Sequence, residues 1–341
     1  MYYPKPLSEK SLDKLYKESG LTTEQTDFLH KLFCAAANLY GVIPLAHLWE
    51  VYKDLSEKAD VPKVKRKDMI AFSGIARREV QPYYVSEIDE LYTEEKRKDL
   101  DRQIILRSLI RSGGGGLVVF YDLVEKQFEK PYYVPEDLLD FAEIKETEEN
   151  RKLRTFLGNL RVTEKEVTDA FGKVTKCRHT GKKLKNFSYF NKYEQFEVDY
   201  YGGKTAGHKR NEKLLREHLE RYRGTEAEKL TRKIQFKVTT GSDSPTYVIK
   251  SLVEELQEVG VVLDIKLVEE LTKVIYEYNN NSQLMQNRGW KPVELRAAMP
   301  PGDGPKIIKM GPGLKQLIKD GEIDLDEYRR MVEAQGFKLE E

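Results

Sequence analysis

Two clusters of basic residues have the chemistry that is needed to bind phosphate groups. In residues 63–79, four cations precede an apolar stretch and two follow it. In residues 173–193, seven cations and no acid alternate with aromatic residues. Lysine and arginine contact phosphates, and aromatic rings stack on unpaired bases. The candidate nucleic-acid-binding residues are Lys63, Lys65, Arg66, Lys67, Arg77, Arg78, Lys182, Lys183, Lys185, Phe187, Tyr189 and Phe190.

Each cluster has a second interpretation. Exposed lysines often serve solvation alone, and the aromatic residues of the second cluster could belong to a core. We therefore predict a non-enzymatic regulatory or adaptor protein whose partner is nucleic acid or an acidic protein surface. The alternative is a protein–protein interaction scaffold that binds no nucleic acid.

The first cluster falls within a recognisable order of elements. Residues 23–92 predict helix, short strand, helix, helix, strand and strand, which is typical of a winged helix-turn-helix module. Thr22 and Gln25 form a capping box, and Gly41 ends the first helix. In this module, residues 63–79 are predicted to form the third helix. Residues 80–93 are predicted to form the two strands of the wing. The wing tip is acidic at Glu87, Asp89 and Glu90 and should repel phosphate.

The rest of the chain predicts a mainly α fold with small β elements. Apolar spacing indicates helices at residues 96–111, 151–160 and 163–171, and short strands at 117–121 and 130–134. The glycines at 113–116 precede a strand and lack the Gly-Lys-Ser/Thr of a phosphate-binding loop, so we interpret them as a hinge. From residue 211 onward the pattern is a helical bundle, with Ser244 and Asp264 as N-caps.

These elements group into four predicted regions. They are a winged-helix-like module at 1–95, an α+β connecting region with the glycine-rich hinge at 96–172, a basic loop and helical bundle at 173–299, and a Pro/Gly linker with an acidic helical hairpin at 300–341.

Composition agrees with a folded protein of more than one module. The chain has 341 residues, of which 39% are hydrophobic and 34% charged. The 58 basic and 57 acidic residues nearly balance, but they are segregated. Residues 173–233 carry 17 Lys and Arg against 8 Asp and Glu, a net charge of +9, whereas residues 134–150 have a net charge of −6. The acidic stretch could be a solvated helix or a partner of the basic region.

The sequence contains no pattern of a membrane, metal or catalytic protein. No stretch has the apolar length of a membrane span, and residues 1–10 lack the apolar run of a signal peptide, so we expect a cytoplasmic protein. Cys177, His179 and His208 supply only one closely spaced pair of ligands, where a structural zinc site needs four. We predict no metal, no cofactor and no catalytic residue.

A polar cluster near the end of the bundle is the last candidate site. It comprises Asn279, Asn280, Asn281, Arg288 and Trp290. Asparagines also satisfy backbone groups at helix ends, so a structural helix–helix corner is the competing interpretation.

Residues 278–295, with 38–52 and 130–143, resemble an uncharacterised bacterial family of helical proteins. The resemblance implies a winged-helix-like N-terminal part. Many members end in a cysteine-rich zinc-binding SEC-C tail, and this sequence has no such tail.

Overall fold

A computed structural model describes residues 4–92, 95–111, 117–143, 146–168, 172–189, 223–298, 307–334 and 338–340. Over these residues the protein is mainly helical with small sheets, which confirms the fold class in its coarse form. Several predicted features lie outside the described residues, namely the glycines at 113–116, Phe190, His208 and most of the linker after residue 299.

The described helices are α1 (Glu9–Ser19), α2 (Thr23–Tyr40), α3 (Leu45–Lys58), α4 (Arg66–Ala76), α5 (Arg107–Arg111), α6 (Val118–Gln127), α7 (Glu148–Asn159), α8 (Glu226–Thr240), α9 (Pro245–Val259), α10 (Ile265–Asn281), α11 (Pro292–Ala298), α12 (Pro312–Lys319) and α13 (Leu325–Ala334). The described strands are β1 (Val42–Pro44), β2 (Tyr83–Ser86), β3 (Gln103–Leu106), β4 (Glu166–Thr168), β5 (Val174–Lys176), β6 (Ile307–Lys309) and β7 (Lys338–Glu340).

The chain folds as two compact units. The first comprises residues 1–145, 240–242 and 283–341, and the second comprises residues 146–239 and 243–282. The first unit therefore extends past residue 95, where the predicted module ended.

A three-stranded antiparallel sheet forms one side of the core of the first unit. β3 lies between β1 and β2, and Ile104 of β3 is opposite both Ile43 and Val85. All three side chains are fully buried. They belong to the same core as Phe33 of α2 and Phe72 of α4. This packing holds α2 and α4 against the sheet.

Helix α2 is the central helix of this unit. Gln25 N donates to Thr22 Oγ1 (3.2 Å) and Thr22 N donates to Gln25 Oε1 (3.1 Å), so the predicted capping box is present. The helix ends at Gly41, whose φ is +72°. A Cβ at this position would lie 3.1 Å from Met285 Sδ and 2.7 Å from Leu123, so glycine is required both by conformation and by space.

The predicted wing is wrong in detail. β2 pairs not with residues 87–92 but with β3, which lies inside the stretch that was predicted as a helix at 96–111. Residues between them form 3₁₀ turns at Ile88–Glu90 and Asp99–Asp101. The apolar run at 104–106 is compatible with either a buried helix or a buried strand. It forms a strand because it pairs with β1 on one side and with β2 on the other.

Three further predictions are wrong for similar reasons. Residues 118–121 belong to helix α6, not to a strand, and residues 130–134 form no regular element. Residues 166–168, predicted as part of a helix, form β4 in a hairpin with β5. In each case a short apolar or aromatic run has no helical or strand periodicity strong enough to exclude the alternative.

The last segment of the first unit packs on α6. Glu125 of α6 accepts hydrogen bonds from Gly311 N and Leu314 N, both at 2.9 Å, and so caps the N-terminus of α12. Leu314 and Leu317 of α12 are buried. β6 and β7 pair in parallel beside α13. The predicted pair of C-terminal helices, α12 and α13, is thus present.

The second unit contains α7, the β4–β5 hairpin and helices α8, α9 and α10. Ser244 Oγ accepts from Tyr247 N and Asp264 Oδ1 accepts from Leu267 N, which confirms both predicted N-caps. Gly260 ends α9 with φ +95°. Its carbonyl accepts from Thr163 N and Glu164 N, so the chain before β4 is anchored to the end of α9. No described helix of either unit is long and apolar enough to cross a bilayer.

His30 of α2 lies in a part-buried hydrogen-bond network of the first unit that includes Glu79. Its Nε2 lies 3.2 Å from the Tyr16 hydroxyl and its Nδ1 lies 3.1 Å from the Tyr83 hydroxyl. Tyr16 donates its own proton to Glu79, so Nε2–H donates to Tyr16 and Nδ1 is left to accept. Burial lowers the pKa of His30, although Glu79 and Asp27 act in the opposite direction.

We expect this network to make the first unit less stable at mildly acidic pH. Because the pKa of His30 is lower in the folded chain than its ordinary value of 6.5, the unfolded chain binds more protons as pH falls through 6.5. The stability of the unit should fall between pH 7 and pH 5, by at most about 1.4 kcal/mol per pH unit. His30→Gln should lose less over the same range, as measured by urea unfolding followed by tryptophan fluorescence. Equal pH dependence in the two proteins would contradict this account.

Candidate nucleic-acid interface and a cleft at Arg288

Four predicted phosphate-binding residues lie together at the start of α4. Lys63, Lys65, Arg66 and Lys67 are all exposed. Within the described part of the chain none of their side chains has a carboxylate within 4.0 Å. The start of a helix also favours anions, because its free N–H groups carry partial positive charge. This end of α4 is therefore a cationic surface, in which the one acid of the first helical turn, Asp68, binds the backbone of Lys65.

The backbone beneath these cations is fixed by neighbouring helices. Val64 N donates to the Tyr52 hydroxyl (2.7 Å) of α3, and Gln25 of α2 donates to Lys63 O (2.7 Å). Lys65 N donates to Asp68 Oδ2 (3.0 Å), which caps α4. The four cations are thus carried by an ordered segment.

Arg77 at the other end of α4 has a different role. Its guanidinium donates to Glu87 (3.1 Å) and to Glu90 (2.6 Å), and only 13% of the side chain is exposed. In contrast to the sequence prediction, Arg77 is committed to ion pairs and does not present its charge to a phosphate. Arg78, the next residue, is exposed.

The acidic wing tip is neutralised by the same ion pairs. Arg102 lies 3.0 Å from Glu87 and also donates to Ser73 Oγ of α4 at 2.9 Å. Asp89 pairs with Arg97 at 2.8 Å. The wing acids therefore hold the loop against α4, and the predicted repulsion of phosphate is reduced.

The second basic cluster is only partly available. Lys182 and Lys185 are exposed, and Lys183 is half-buried with Nζ 3.2 Å from Asn159 Oδ1. Phe187 is buried and stacks on His179, with ring centroids 4.0 Å apart and planes 10° apart. The prediction of Phe187 as a platform for bases is therefore wrong, because its face is already covered. Tyr189 is half-buried, and its backbone binds Glu226 and Lys229 of α8.

The cysteines lie in neutral hydrogen-bonded surroundings. Cys177 Sγ donates to Val259 O (3.3 Å), and Cys34 Sγ donates to Ala142 O (3.2 Å). Burial raises the pKa of the Cys34 thiol. Within the described ranges, no three His, Cys, Asp or Glu side chains are placed to hold a metal ion.

The structure separates the predicted polar cluster into two parts. Asn279, Asn280 and Asn281 end α10 in the second unit, where Asn279 donates to Asn280 and Asn281 donates to Glu277 O. These bonds are local, which agrees with the structural interpretation. Arg288 and Trp290 belong to the first unit.

Arg288 and Trp290 clamp the irregular segment 130–133. Arg288 has a left-handed backbone (φ +50°) and donates from Nη1 to Lys130 O. Its guanidinium carbon lies 4.4 Å from the centre of the Tyr132 ring. Trp290 Nε1 donates to Pro131 O at 3.1 Å. This segment needs such partners, because it forms no regular element of its own.

A cleft of about 380 Å³ opens beside Arg288 in the first unit. One wall is formed by the start of α3 and by Tyr132, and another by α6 and the loop between β2 and β3. The lining residues that can bind a ligand by charge or hydrogen bonds are His47, Tyr92, Glu95, Asp101, Gln103, Gln127, Tyr132 and Arg288.

Arg288 supplies the positive charge at one end of this cleft, and Lys130, which is not among the lining residues, lies near Arg288. The pKa of Lys130 is lowered to about 8. Burial is the largest cause, and the positive charges of Arg288 and Lys126 lower the pKa further. Partial burial and Arg288 lower the pKa of His47, against an opposing effect of Glu50. Burial raises the pKa of Tyr132 to about 12, so its hydroxyl stays protonated near neutral pH. The site therefore has cations and neutral rings at this end.

Sequence analysis missed most of this cleft. His47, Gln127 and Arg288 lie far apart in the chain and follow no motif. The only signal was Arg288 itself, together with the Lys-Pro-Tyr-Tyr sequence at 130–133, which was predicted as a strand.

Comparison of the chain with protein-family models, with curated proteins and with solved structures finds no match.

Proposed function

We propose that residues 23–106 form a winged helix-turn-helix module, and that the protein is a non-enzymatic regulatory or adaptor protein that contacts nucleic acid through α4. The order of elements from α2 to β3 and the sheet order β1–β3–β2 support the module. The observation that carries the function is the surface of four exposed cations at the start of α4, which pair with no carboxylate of the described residues.

The geometry favours phosphate contact over base reading as the main source of affinity. The four cations sit on one end of α4, whereas Arg102 lies against the other half, close to Gly74 and Ile70. Phosphate contacts supply affinity that depends on salt and little on sequence. The exposed Lys182 and Lys185 of the second unit offer further contacts of the same kind.

We expect substitution of Lys63, Lys65, Arg66 and Lys67 by glutamine to weaken binding of a labelled duplex of about 20 base pairs at every salt concentration. If all four contact phosphates, the slope of log K against log salt should fall by about 3 to 4, since each contact contributes about 0.9. Fluorescence anisotropy at several salt concentrations measures both quantities, with single-stranded DNA and RNA as further ligands.

The matched control removes four exposed cations of the second unit that lie outside both basic clusters, namely Lys152, Lys250, Lys266 and Lys273. It changes the net charge equally, and we expect a smaller loss of affinity. An equal or larger loss in the control would show that α4 is not the main contact surface.

A protein–protein interaction scaffold is the second candidate function. The exposed cations at 63–67 would fit an acidic protein surface equally well in charge. Absence of nucleic-acid binding even at low salt would overturn the first proposal. In that case the α4 variant should lose a protein partner that the wild type retains.

A further inference from the structure

We propose that the cleft beside Arg288 binds a small ligand that has one carboxylate or phosphate group and a planar or apolar body. This site is separate from the cationic surface of α4, and the inference does not depend on nucleic-acid binding. It rests on the charge, the shape and the free hydrogen-bonding groups of the cleft.

The guanidinium of Arg288 has no ion-pair partner among the residues that the structure describes. Arg288 donates to the carbonyl of Lys130, and Lys130 Nζ donates to Gln286 O and Asn287 Oδ1, both at 2.9 Å. All these acceptors are neutral. Neither cation has a carboxylate within 4.0 Å among the residues that the structure describes. Partly buried cations are normally paired with an anion, so a bound carboxylate or phosphate would complete the arrangement.

Arg288 also retains hydrogen-bonding capacity. Its Nε is buried and has no hydrogen-bond partner. An unsatisfied buried donor on a charged group is costly. Arg288 has a left-handed backbone, which non-glycine residues rarely adopt without supporting contacts. A small adjustment toward an anion would satisfy the guanidinium without moving the backbone.

Aromatic and apolar side chains form part of the cleft walls. The rings of His47 and Tyr132 have centroids 5.3 Å apart and lie beside the guanidinium. Val42, Ile88 and Val124 add apolar surface. The volume of about 380 Å³ is in the range of small-molecule sites.

Polar groups away from Arg288 limit what can enter. The side-chain NH₂ of Gln127 donates to Tyr40 O (2.6 Å) and Met285 O (2.8 Å), so only its carbonyl oxygen remains for a ligand. Glu95 and Asp101 also line the cleft and would repel a second anionic group. A ligand with one anionic end, and with donors or apolar surface elsewhere, fits this pattern, whereas a polyanion such as a nucleic-acid strand does not.

The test is isothermal titration of the full chain with three probes of similar shape, namely benzoate, phenyl phosphate and neutral benzyl alcohol. We expect at least one anionic probe to bind about 10-fold or more tightly than benzyl alcohol, which corresponds to about 1.4 kcal/mol. The stronger of the two anions then identifies carboxylate or phosphate as the preferred group. Failure of both anions to bind more tightly than benzyl alcohol would overturn the proposal.

Two variants locate the site. Arg288→Gln removes the charge, and Ala46→Leu adds bulk to the wall at a lining residue that carries no charge. We expect each to weaken the anionic probe about 10-fold. Lys14→Gln, an exposed cation of α1, is the control and should bind as the wild type does. If Arg288→Gln fails to fold, Ala46→Leu alone tests whether the probe binds in this cleft. Unchanged binding of the probe by Ala46→Leu would overturn the assignment to this cleft.

Discussion

Lys229→Met should destabilise the second unit by about 3–5 kcal/mol, which is the usual cost of removing one partner of a buried ion pair. The side chains of Lys229 and Glu226, both in α8, are only 1% and 6% exposed. Lys229 Nζ lies 3.1 Å from Glu226 Oε2. Lys229 also donates to Tyr189 O, while Glu226 accepts from Tyr189 N at 3.2 Å. The pair therefore ties the backbone of Tyr189 to α8.

Hydrogen exchange is the suitable measurement, because a chain with two units need not unfold in a single step. Peptides from residues 184–189 and 226–240 should exchange about 150-fold to 5,000-fold faster in Lys229→Met, provided that they exchange through opening of this unit. The double variant Lys229→Met, Glu226→Gln should recover part of the protection, because it removes the buried carboxylate as well.

Lys273→Met provides the control for loss of a lysine. Lys273 is 76% exposed and lies 4.0 Å from Glu277, so its pair should contribute less than about 1 kcal/mol. Equal exchange in wild type and Lys229→Met would show that the buried pair does not stabilise the unit.

Gly313→Ala should release the C-terminal segment from α6. A Cβ at Gly313 would overlap the carbonyl oxygen of Tyr121 and lie 2.9 Å from Glu125 N. Both contacts are with backbone atoms, which cannot rotate away. We therefore expect a cost of about 1–3 kcal/mol from overpacking, and more if the two hydrogen bonds of Glu125 to α12 are lost. Peptides from residues 312–334 should then become sensitive to a protease that leaves them intact in the wild type.

Gly74→Ala is the matched control, since Gly74 is also a helical glycine with ordinary φ. The nearest atom to its added Cβ is Arg102 Nη1 at 3.7 Å, which is normal contact. Alanine favours a helix over glycine by about 1 kcal/mol, so this variant should be neutral or more stable. If Gly313→Ala behaves like Gly74→Ala, then α12 does not depend on close contact with α6.

Local signals in the sequence were sufficient wherever neighbouring residues determine the structure. The capping box of Thr22 and Gln25 and the N-caps Ser244 and Asp264 were predicted correctly, because a side chain and a backbone N–H three residues apart satisfy one another. The order of elements from α2 to α4 followed from helical periodicity between glycine and proline. The capped helices could therefore be predicted from the sequence.

Tertiary contacts decided the rest. Ile104 became a strand residue through its two partner strands, and Arg77 became part of an ion network through Glu87 and Glu90. The ring of His179 stacks on Phe187. Arg288 donates a hydrogen bond to the carbonyl of Lys130, which lies far from it in the sequence. By itself the sequence determined which residues carry charge and where helices begin. Which charges remain free for a partner depends on distances between residues far apart in the chain, and only the folded structure sets those distances.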